Sequence, residues 1–282
     1  MEILHAIGSV FSTLLHPFIL IFINLLLGVV NVFSALHIPY PLGFSIIAVT
    51  ILIRLVTYPL VARQIRYSKK MQELSPHIAN LKKLHKGDQK KFMEEQQKLF
   101  KENGISQAAG CLPTLVQLPV LYGFYIMLSN IVKPTGQLHY INSLVLPPLK
   151  ISHPLDPNFF GISLGQHPSG LLSALPILAI SIPVLTGLFQ FIQTKMMTPQ
   201  VVKQYPSDSP KEKKEKENAG DMATQMQGQM LIIFPLMIAY ASFNFPIGLS
   251  LYWNTSTVFG IIQQYKIGGI GGLGSIWQRI KK

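Results

Sequence analysis

Residues 43 to 62 read GFSIIAVTILIRLVTYPLVA, an apolar run that contains one cation, Arg54, and no acidic residue to pair with it. An arginine at bilayer depth costs roughly 2.5 to 3.5 kcal/mol on insertion-based scales, so such a residue is usually kept for function and faces water or a polar cavity. The run therefore predicts a membrane helix that carries a functional cation.

The composition of the whole chain is that of an integral membrane protein. Of its 282 residues, 49% are hydrophobic and only 13% are charged, and the mean hydropathy is +0.34. Apolar runs near the length of a hydrocarbon core occupy most of the chain, which leaves one membrane domain with loops between its helices. The single cysteine, Cys111, excludes a disulfide or a thiolate metal site within one chain.

Apolar runs after residue 40 predict five membrane-spanning helices, at residues 43–65, 108–131, 171–195, 229–243 and 246–265. The last two are joined by only Asn244 and Phe245, so they are predicted to form an antiparallel hairpin. The apolar part of the fourth, Leu231 to Phe243, is shorter than a bilayer core of about 30 Å, which indicates local thinning of the membrane. The predicted fold is an all-α integral membrane protein built on a five-helix transmembrane bundle.

Lysine and arginine positions set the predicted orientation. Residues 63–104, residues 195–228 and the tail from residue 266 hold 21 of the 24 basic residues. By the positive-inside rule these segments face the cytoplasm, and residues 132–170 form an external loop. Simple topology explains this charge, and it also suits anionic lipid head groups or an RNA-rich partner such as a ribosome.

The N-terminal segment, residues 1–42, holds an apolar helix from Ile7 to Phe33 that allows two interpretations. It either crosses the membrane with the N-terminus inside, or lies at the external interface with the N-terminus outside. Asn24 and Asn31 interrupt it, and no basic residue precedes Arg54, which favours the interfacial helix. A secretory signal is not indicated, because a positive n-region and a cleavage site are missing.

Residues 67–104 are predicted to form a cytoplasmic two-helix hairpin between the first two spans. Its first arm carries an apolar stripe with helical spacing, at Met71, Leu74, Ile78 and Leu81. Lys86-Gly87-Asp88 provides the turn, and Pro76 after Ser75 predicts a break in the first arm. Because so narrow an apolar seam cannot form a robust core, the hairpin is expected to be mobile or to need a partner.

Two further cytoplasmic segments lack a pattern that could build structure. Residues 198–224 are predicted to be disordered, because the charged run from Lys211 to Glu217 offers no apolar side chain to bury. Residues 267–282 form a basic, glycine-rich tail that follows the core of residues 43–266. Its glycines satisfy a Gly-x-Gly-x-x-Gly pattern, but they follow a membrane helix instead of a strand, so a flexible tail is predicted and not a nucleotide site.

Polar residues inside four of the predicted spans share a helix face, at spacings of three and four residues. They are Thr50, Arg54, Thr57 and Tyr58 in the first; Thr114 and Gln117 in the second; Thr186, Gln190, Gln193 and Thr194 in the third; and Ser250, Trp253, Asn254 and Thr257 in the fifth. Hydrogen bonding between helices would explain any one stripe. Four stripes together with an unpaired arginine favour a shared hydrated groove.

Several motifs resemble those of the YidC family of membrane protein insertases. They are Ile53-Arg54-Leu55, the basic hairpin, Gly110 to Pro119 (GCLPTLVQLP), Phe191 to Met197 (FIQTKMM), and Pro246 to Trp253 (PIGLSLYW). The resemblance covers nearly the whole chain. It implies a five-helix bundle around a hydrophilic groove that opens to the cytoplasm and to lipid but is closed externally. It also implies that Arg54, Gln117, Gln193 and Trp253 line this groove and that the N-terminal helix lies at the interface.

Enzymatic functions are disfavoured. All eight histidines lie outside the five predicted spans, so Ser250 has no histidine partner in the bundle, and His-Glu-x-x-His is absent. No catalytic residue, metal ligand or cofactor site is therefore predicted.

The sequence predicts a non-enzymatic insertase in a bacterial cell membrane, with a cytoplasmic C-terminus and an external N-terminus. Nascent membrane proteins and lipid are the expected partners, with the ribosome and targeting machinery bound through residues 67–104. The SecYEG translocon is a further candidate partner, and no direct sequence-specific nucleic-acid binding is expected. The alternative is a small-solute or ion transporter, but none of the twelve acidic residues lies inside a span to couple ions. A lipid scramblase or an assembly chaperone would share the groove and stays open.

Overall fold

A computed structural model of the chain describes residues 2–85, 87–104, 112–131, 138–197 and 219–274. These ranges are almost entirely helical, as predicted for an all-α membrane protein. The helices are α1 (Glu2–Ala35), α2 (Pro41–Val56), α3 (Tyr58–Leu84), α4 (Gln89–Glu102), α5 (Leu112–Ile131), α6 (Leu138–Leu144), α7 (Pro176–Met197), α8 (Ala219–Asn244) and α9 (Ile247–Gly268). Three 3-10 turns (Pro147–Leu149, Pro168–Leu171, Gly271–Leu273) and a pair of two-residue strands, β1 (Asn158–Phe159) and β2 (Ile162–Ser163), complete the described part.

Length and composition make two of the described helices able to cross a membrane, His16–Ala35 within α1 and the whole of α7. The pair formed by α2 and Tyr58–Leu74 of α3 is bent at the break between them, and it adds a third span if it is counted as one. The apolar part of α8, Leu231–Asn244, is shorter than these. The five-span arrangement therefore stays a prediction, as does the interfacial position of α1.

The break between α2 and α3 interrupts the predicted span 43–65. Helix α2 ends at Val56, and Thr57 follows as its C-cap. Pro59 explains the interruption, because proline has no amide hydrogen and its ring clashes with the carbonyl group four residues earlier, that of Leu55. Arg54 consequently lies in the last turn of α2, directly before a break in the backbone.

The described chain divides into two compact units, and the first holds Met1–Tyr58, Leu112–Gly187 and Ile238–Phe259. Its large apolar core includes one face of α1, whose buried side chains recur at helical spacing: Ile19, Phe22, Ile23, Leu26, Leu27 and Val30. Asn24 fixes α1 to the segment after α6. Its amide nitrogen donates to the Leu144 carbonyl (3.1 Å), and its amide oxygen accepts from the Leu146 amide (2.8 Å).

The second unit holds Pro59–Cys111, Leu188–Met237 and Gly260–Lys282. Helices α3 and α4 form the arms of the hairpin, and Asp88 caps α4 by accepting a hydrogen bond from the Lys91 amide (3.0 Å). Contrary to the expected break, α3 continues through Pro76. Because Pro76 has no amide hydrogen, the helix continues with one backbone hydrogen bond fewer, that to the carbonyl group of Gln72.

Two segments that were predicted to lack structure are partly ordered. Helix α8 begins at Ala219, inside the predicted disordered segment 198–224, whose first part, residues 198–218, lies outside the described residues. In the tail, the 3-10 turn Gly271–Leu273 packs on the end of α7, since a side chain at Gly271 would meet the Met196 carbonyl oxygen. Residues 275–282 of the tail lie outside the described range.

Candidate functional site

Arg54 is held in the first unit by a neutral partner on α9. Its Nε and Nη2 atoms both donate to Ser256 Oγ, at 2.8 and 2.5 Å. Ser256 is buried and Arg54 is partly buried. Among the residues that the structure describes, no carboxylate lies within ion-pair distance of the guanidinium group. The positive charge of Arg54 is therefore hydrogen-bonded but not neutralised.

A second polar contact continues from this one along α9. Tyr252 lies one turn before Ser256 and hydrogen-bonds to it, and its hydroxyl oxygen accepts a hydrogen bond from the Gln117 amide of α5. The buried Tyr252 ring packs on Phe124 with ring centroids 4.3 Å apart. The Phe124 ring in turn lies 4.3 Å from that of Phe22 in α1. A polar chain from Gln117 to Arg54 thus rests on an aromatic stack.

The two predicted threonines of α2 bond to their own helix. Thr50 Oγ1 donates to the Ile46 carbonyl (2.5 Å) and Thr57 Oγ1 to the Ile53 carbonyl (2.8 Å). Their hydroxyl groups are satisfied without a neighbouring helix, so interhelical hydrogen bonding does not account for them. Tyr58, the first residue of α3, has an exposed side chain.

The predicted residues of α9 occupy different surroundings. Trp253 is partly buried and Thr257 is buried. Asn254 is partly buried, and its Oδ1 atom is fully enclosed with no hydrogen-bond partner among the described residues. A buried amide oxygen without a partner costs free energy, and such groups concentrate at sites that bind water or ligands.

The other two predicted site residues belong to the second unit. The Gln190 amide donates to Thr194 Oγ1 (3.3 Å), and Thr194 Oγ1 donates back to the Gln190 carbonyl (2.8 Å). Gln190 is buried and Gln193 is partly buried. Both lie in the last three turns of α7, before it ends at Met197.

Comparison with known proteins gives the family. The sequence model of the family described as 60Kd inner membrane protein matches residues 33–270. The chain belongs to this family. Membrane protein insertase MisCA of Bacillus subtilis is 32% identical over 231 residues, which are 80% of this chain and 70% of that protein. The family that the sequence motifs indicated is thereby confirmed.

Other members of the 60Kd inner membrane protein family are longer than this chain. Inner membrane protein ALBINO3, chloroplastic, of Arabidopsis thaliana is 33% identical over 251 residues, 85% of this chain and 49% of that protein. Membrane protein insertase YidC of Rickettsia massiliae is 31% identical over 228 residues, 80% of this chain and 35% of that protein. The chain spans about half the length of the chloroplast relatives it matches.

Sequence reasoning missed two residues of the polar chain in this family member, Tyr252 and Ser256. The polar stripe on the fifth span was placed on Ser250, Trp253, Asn254 and Thr257, and Trp253 and Thr257 directly follow the two missed residues in the sequence. The missed signal is the spacing of Tyr252 and Ser256, four residues apart and hence on one face of α9. Their contacts to α2 and α5 depend on helix packing, which the spacing alone does not show.

A second group of polar side chains joins three helices of the first unit. Ser242 of α8 donates to Thr186 of α7 (3.2 Å) and shares a hydrogen bond with Ser250 of α9 (2.9 Å). All three side chains are buried. Such hydroxyl contacts are typical of helix packing in membranes, and no group of His, Cys, Asp or Glu among the described residues could hold a metal ion.

Proposed function

We propose that this protein inserts the helices of other membrane proteins into the bilayer, without catalysing a chemical reaction. One observation carries the proposal: Arg54 is a cation in an apolar helix, and its partner is the hydroxyl group of Ser256 instead of a carboxylate. A structural arginine in a membrane helix normally pairs with an acidic group, because burial of an unpaired charge is costly. A cation without a permanent counter-ion can bind an acidic segment of a substrate and release it again.

Two polar residues of the predicted groove support hydrated surroundings. Thr57 is partly buried and its hydroxyl group bonds to the Ile53 carbonyl group, so it can line a surface without contacting another helix, whereas Thr50 is buried. The enclosed Asn254 oxygen lacks a protein partner among the described residues, as expected for a group that bonds water. Water in such a groove lowers the cost of carrying the polar external segment of a substrate part of the way across the membrane.

The proposed step proceeds in two stages. An acidic residue of the substrate first displaces Ser256 from Arg54, because a charge-assisted pair between guanidinium and carboxylate is stronger than a hydrogen bond to a hydroxyl group. The apolar helix of the substrate then leaves sideways into lipid, and its transfer from water to the bilayer core provides the free energy. Nucleotide hydrolysis is not required by this scheme.

The proposal includes a location and partners. We place the protein in a bacterial cell membrane with α3 and α4 in the cytoplasm, where the basic hairpin of residues 67–104 would receive substrates from the ribosome or the targeting machinery. Nascent membrane proteins are the substrates, and cooperation with the SecYEG translocon is part of the proposal. Cysteines placed at positions 85 and 212 should then react with impermeant reagents only from the cytoplasm, and one at position 153 only from outside.

Purified protein in liposomes tests the proposed function without other factors. A single-span substrate with an acidic external segment is offered without nucleotide, beside a matched substrate whose segment is neutral. Arg54→Ala should abolish insertion of the acidic substrate and spare the neutral one, Arg54→Lys should retain insertion of both, and Arg54→Glu should be worse than alanine.

Two outcomes would contradict the electrostatic role of Arg54. Equal loss for acidic and neutral substrates, or a melting midpoint that falls in all three variants by more than it does in Ser256→Ala, would make Arg54 a structural residue that holds the helices together. Flux of ions or small solutes through the same liposomes, in the absence of insertion, would favour the transporter instead.

Deletion of residues 75–100 should impair insertion and leave the membrane helices folded, which tests the docking role of the hairpin separately.

A further inference from the structure

A small β-hairpin lies in the segment that the sequence assigned to the external loop. Strands β1 and β2 pair antiparallel, with Asn158 opposite Ser163 and Phe159 opposite Ile162. The turn between them is Phe160-Gly161, and both residues have positive φ, 51° and 83°. Positive φ is ordinary for glycine but unusual for phenylalanine, so the surrounding structure must hold Phe160 in place.

The hairpin is seated on the first turn of α2 through four aromatic rings, which we call the aromatic patch: Tyr40, Phe44, Phe159 and Phe160. The Phe160 ring lies 5.0 Å from that of Tyr40 and 4.8 Å from that of Phe159. The Phe159 ring lies 5.5 Å from that of Phe44. Gly43 allows this fit, because a Cβ atom there would overlap the Phe159 ring. The hairpin is therefore fixed to the beginning of α2.

One side of the aromatic patch is left uncovered. Phe160 is 66% exposed, whereas Tyr40, Phe44 and Phe159 are partly buried. A glycine or an asparagine would adopt this φ more readily than Phe160, so the turn conformation alone does not explain a phenylalanine at this position. The exposed part of the Phe160 ring is available for contact with a partner outside the chain.

Two backbone amides of the hairpin are satisfied by neighbouring side chains. The Asn158 backbone amide donates to Asp156 Oδ1 (2.9 Å), and the Gly161 backbone amide donates to Asn158 Oδ1 (2.9 Å). Hydrogen bonds of this kind remove most of the cost of taking a backbone out of water. A turn with satisfied amides and an exposed aromatic ring can enter a low-dielectric environment.

We propose that the aromatic patch is a membrane anchor, in which Phe160 enters the lipid interface beside the start of α2. The partner is the boundary between head groups and acyl chains. Helix α2 supports this choice, because α2 and Tyr58–Leu74 of α3 together are apolar and long enough to form one membrane span, and the patch is built on the first turn of that pair. Aromatic rings concentrate at this level in membrane proteins. None of the four patch residues is charged, and the exposed Asp156 carboxylate lies at the start of the hairpin, where it accepts from the Asn158 backbone amide.

Such an anchor would set the depth of α2 in the bilayer and, with it, the depth of Arg54. The β-hairpin packs on the first turn of α2, and Arg54 lies in the last turn of the same helix. Because α2 is a single helix, its rise of about 1.5 Å per residue keeps the distance between the two ends fixed. The anchor does not depend on the proposed insertase activity, since lipid contact can be measured with the protein alone.

Tryptophan fluorescence in vesicles tests the anchor. The two native tryptophans are first replaced by phenylalanine (Trp253→Phe and Trp277→Phe), and Phe160→Trp is then introduced as the reporter. Ser152→Trp, at an exposed position of the same external segment outside the patch, is the matched control. In phosphatidylcholine vesicles with bromine on the acyl chains near the head group, quenching of the tryptophan at 160 should be at least twofold stronger than at 152, and its emission should be blue-shifted.

Two results would overturn the proposal. Equal quenching at both positions would leave the hairpin in water, and a blue-shifted emission at 160 without quenching by brominated lipid would show that protein covers the ring, for example a second copy of the chain. If Phe160→Trp lowers the melting midpoint by more than a few degrees, Tyr40→Trp reports from the other edge of the patch. Quenching of that reporter no stronger than at 152 would contradict the anchor as well.

Discussion

The two units of the described chain are held together by different kinds of contact. In the first unit, a large apolar core is crossed by hydrogen bonds between side chains, such as that of Arg54 to Ser256 and that of Gln117 to Tyr252. In the second unit the buried apolar side chains are few: Ala62, Ile65, Phe92, Phe100 and Met196. Its helices are joined instead by side chains that donate to backbone carbonyl groups.

These carbonyl groups belong to the end of α7. Ser68 and Gln72 of α3 donate to the Met197 carbonyl (3.1 and 3.2 Å), and Gln264 of α9 donates to the Met196 carbonyl (3.4 Å). The last four carbonyl groups of a helix have no partner within it, so they are available as acceptors. The stability of the first unit should therefore depend mainly on apolar packing, and that of the second unit on the contacts at the end of α7.

The largest effect is expected from a cavity in the first unit. Phe124→Ala removes a fully buried ring between Phe22 and Tyr252, and such truncations cost about 3 to 5 kcal/mol. The melting midpoint in detergent micelles should fall by many degrees. Tyr122→Ala on the same helix is the control, because Tyr122 is exposed and its loss should change the midpoint little. Equal effects of the two substitutions would contradict the packing role of the aromatic stack.

A substitution at the α7 terminus should come second. Gly271→Ala combines a positive φ of 47° with a methyl group that overlaps the Met196 carbonyl oxygen, and strain and overpacking together cost about 2 to 4 kcal/mol. Gly269→Ala is the matched control, since Gly269 has a φ of 75° but no atom within 4 Å of the added carbon. Gly269→Ala should therefore show the backbone strain alone. Equal melting midpoints for both would show that the tail does not pack on α7.

A smaller loss is expected when the partner of Arg54 is removed. Ser256→Ala takes away a hydrogen bond to a charged group, which contributes about 1.5 to 3 kcal/mol. Thr255→Val is the control, because Thr255 Oγ1 donates to the Leu251 carbonyl of its own helix (2.8 Å). The unfolding free energy in micelles should fall more for Ser256→Ala than for the control. An unchanged unfolding free energy in Ser256→Ala would mean that Arg54 finds water or another partner when the serine hydroxyl group is removed.

Much of the fold could be predicted from apolar runs, because membrane helices are long and each satisfies its own backbone. The all-α membrane class and the family followed from the sequence, and Arg54 was found as a cation without an acidic neighbour. The break at Thr57 could have been read from Pro59, but the run on either side is so apolar that a single span was predicted. Continuation of α3 through Pro76 shows the opposite error, since a proline there was given too much weight.

Contacts between distant residues could not be predicted from one sequence. Arg54 and Ser256 are 202 positions apart, and the periodicity of either helix does not show which faces meet. The aromatic patch was missed for a related reason. Strands of two residues are too short to produce an alternating pattern, and the fit of Phe159 on Gly43 depends on tertiary packing.

The smallest effect is expected on the surface of the cytoplasmic hairpin, in the second unit. Lys98 Nζ lies 2.9 Å from Glu95 Oε1, and this hydrogen bond, followed by the charge of Lys98, lowers the pKa of Glu95 below its ordinary value and raises that of Lys98. Because the pKa of Glu95 is lowered on folding, the pair stabilises the hairpin above the ordinary carboxyl pKa, and this contribution is lost as pH falls through the lowered value. Because the pKa of Lys98 is raised, the contribution also disappears as pH rises through that value. Both side chains lie in water, so the effect on stability should be close to the limit of measurement.

NMR titration of 13C-labelled glutamate gives a clearer test: Lys98→Gln should return the pKa of Glu95 toward its ordinary value, whereas Lys90→Gln should leave it nearly unchanged. An unchanged pKa in Lys98→Gln would show that the two side chains do not stay in contact, and that the hairpin depends on its buried phenylalanines alone.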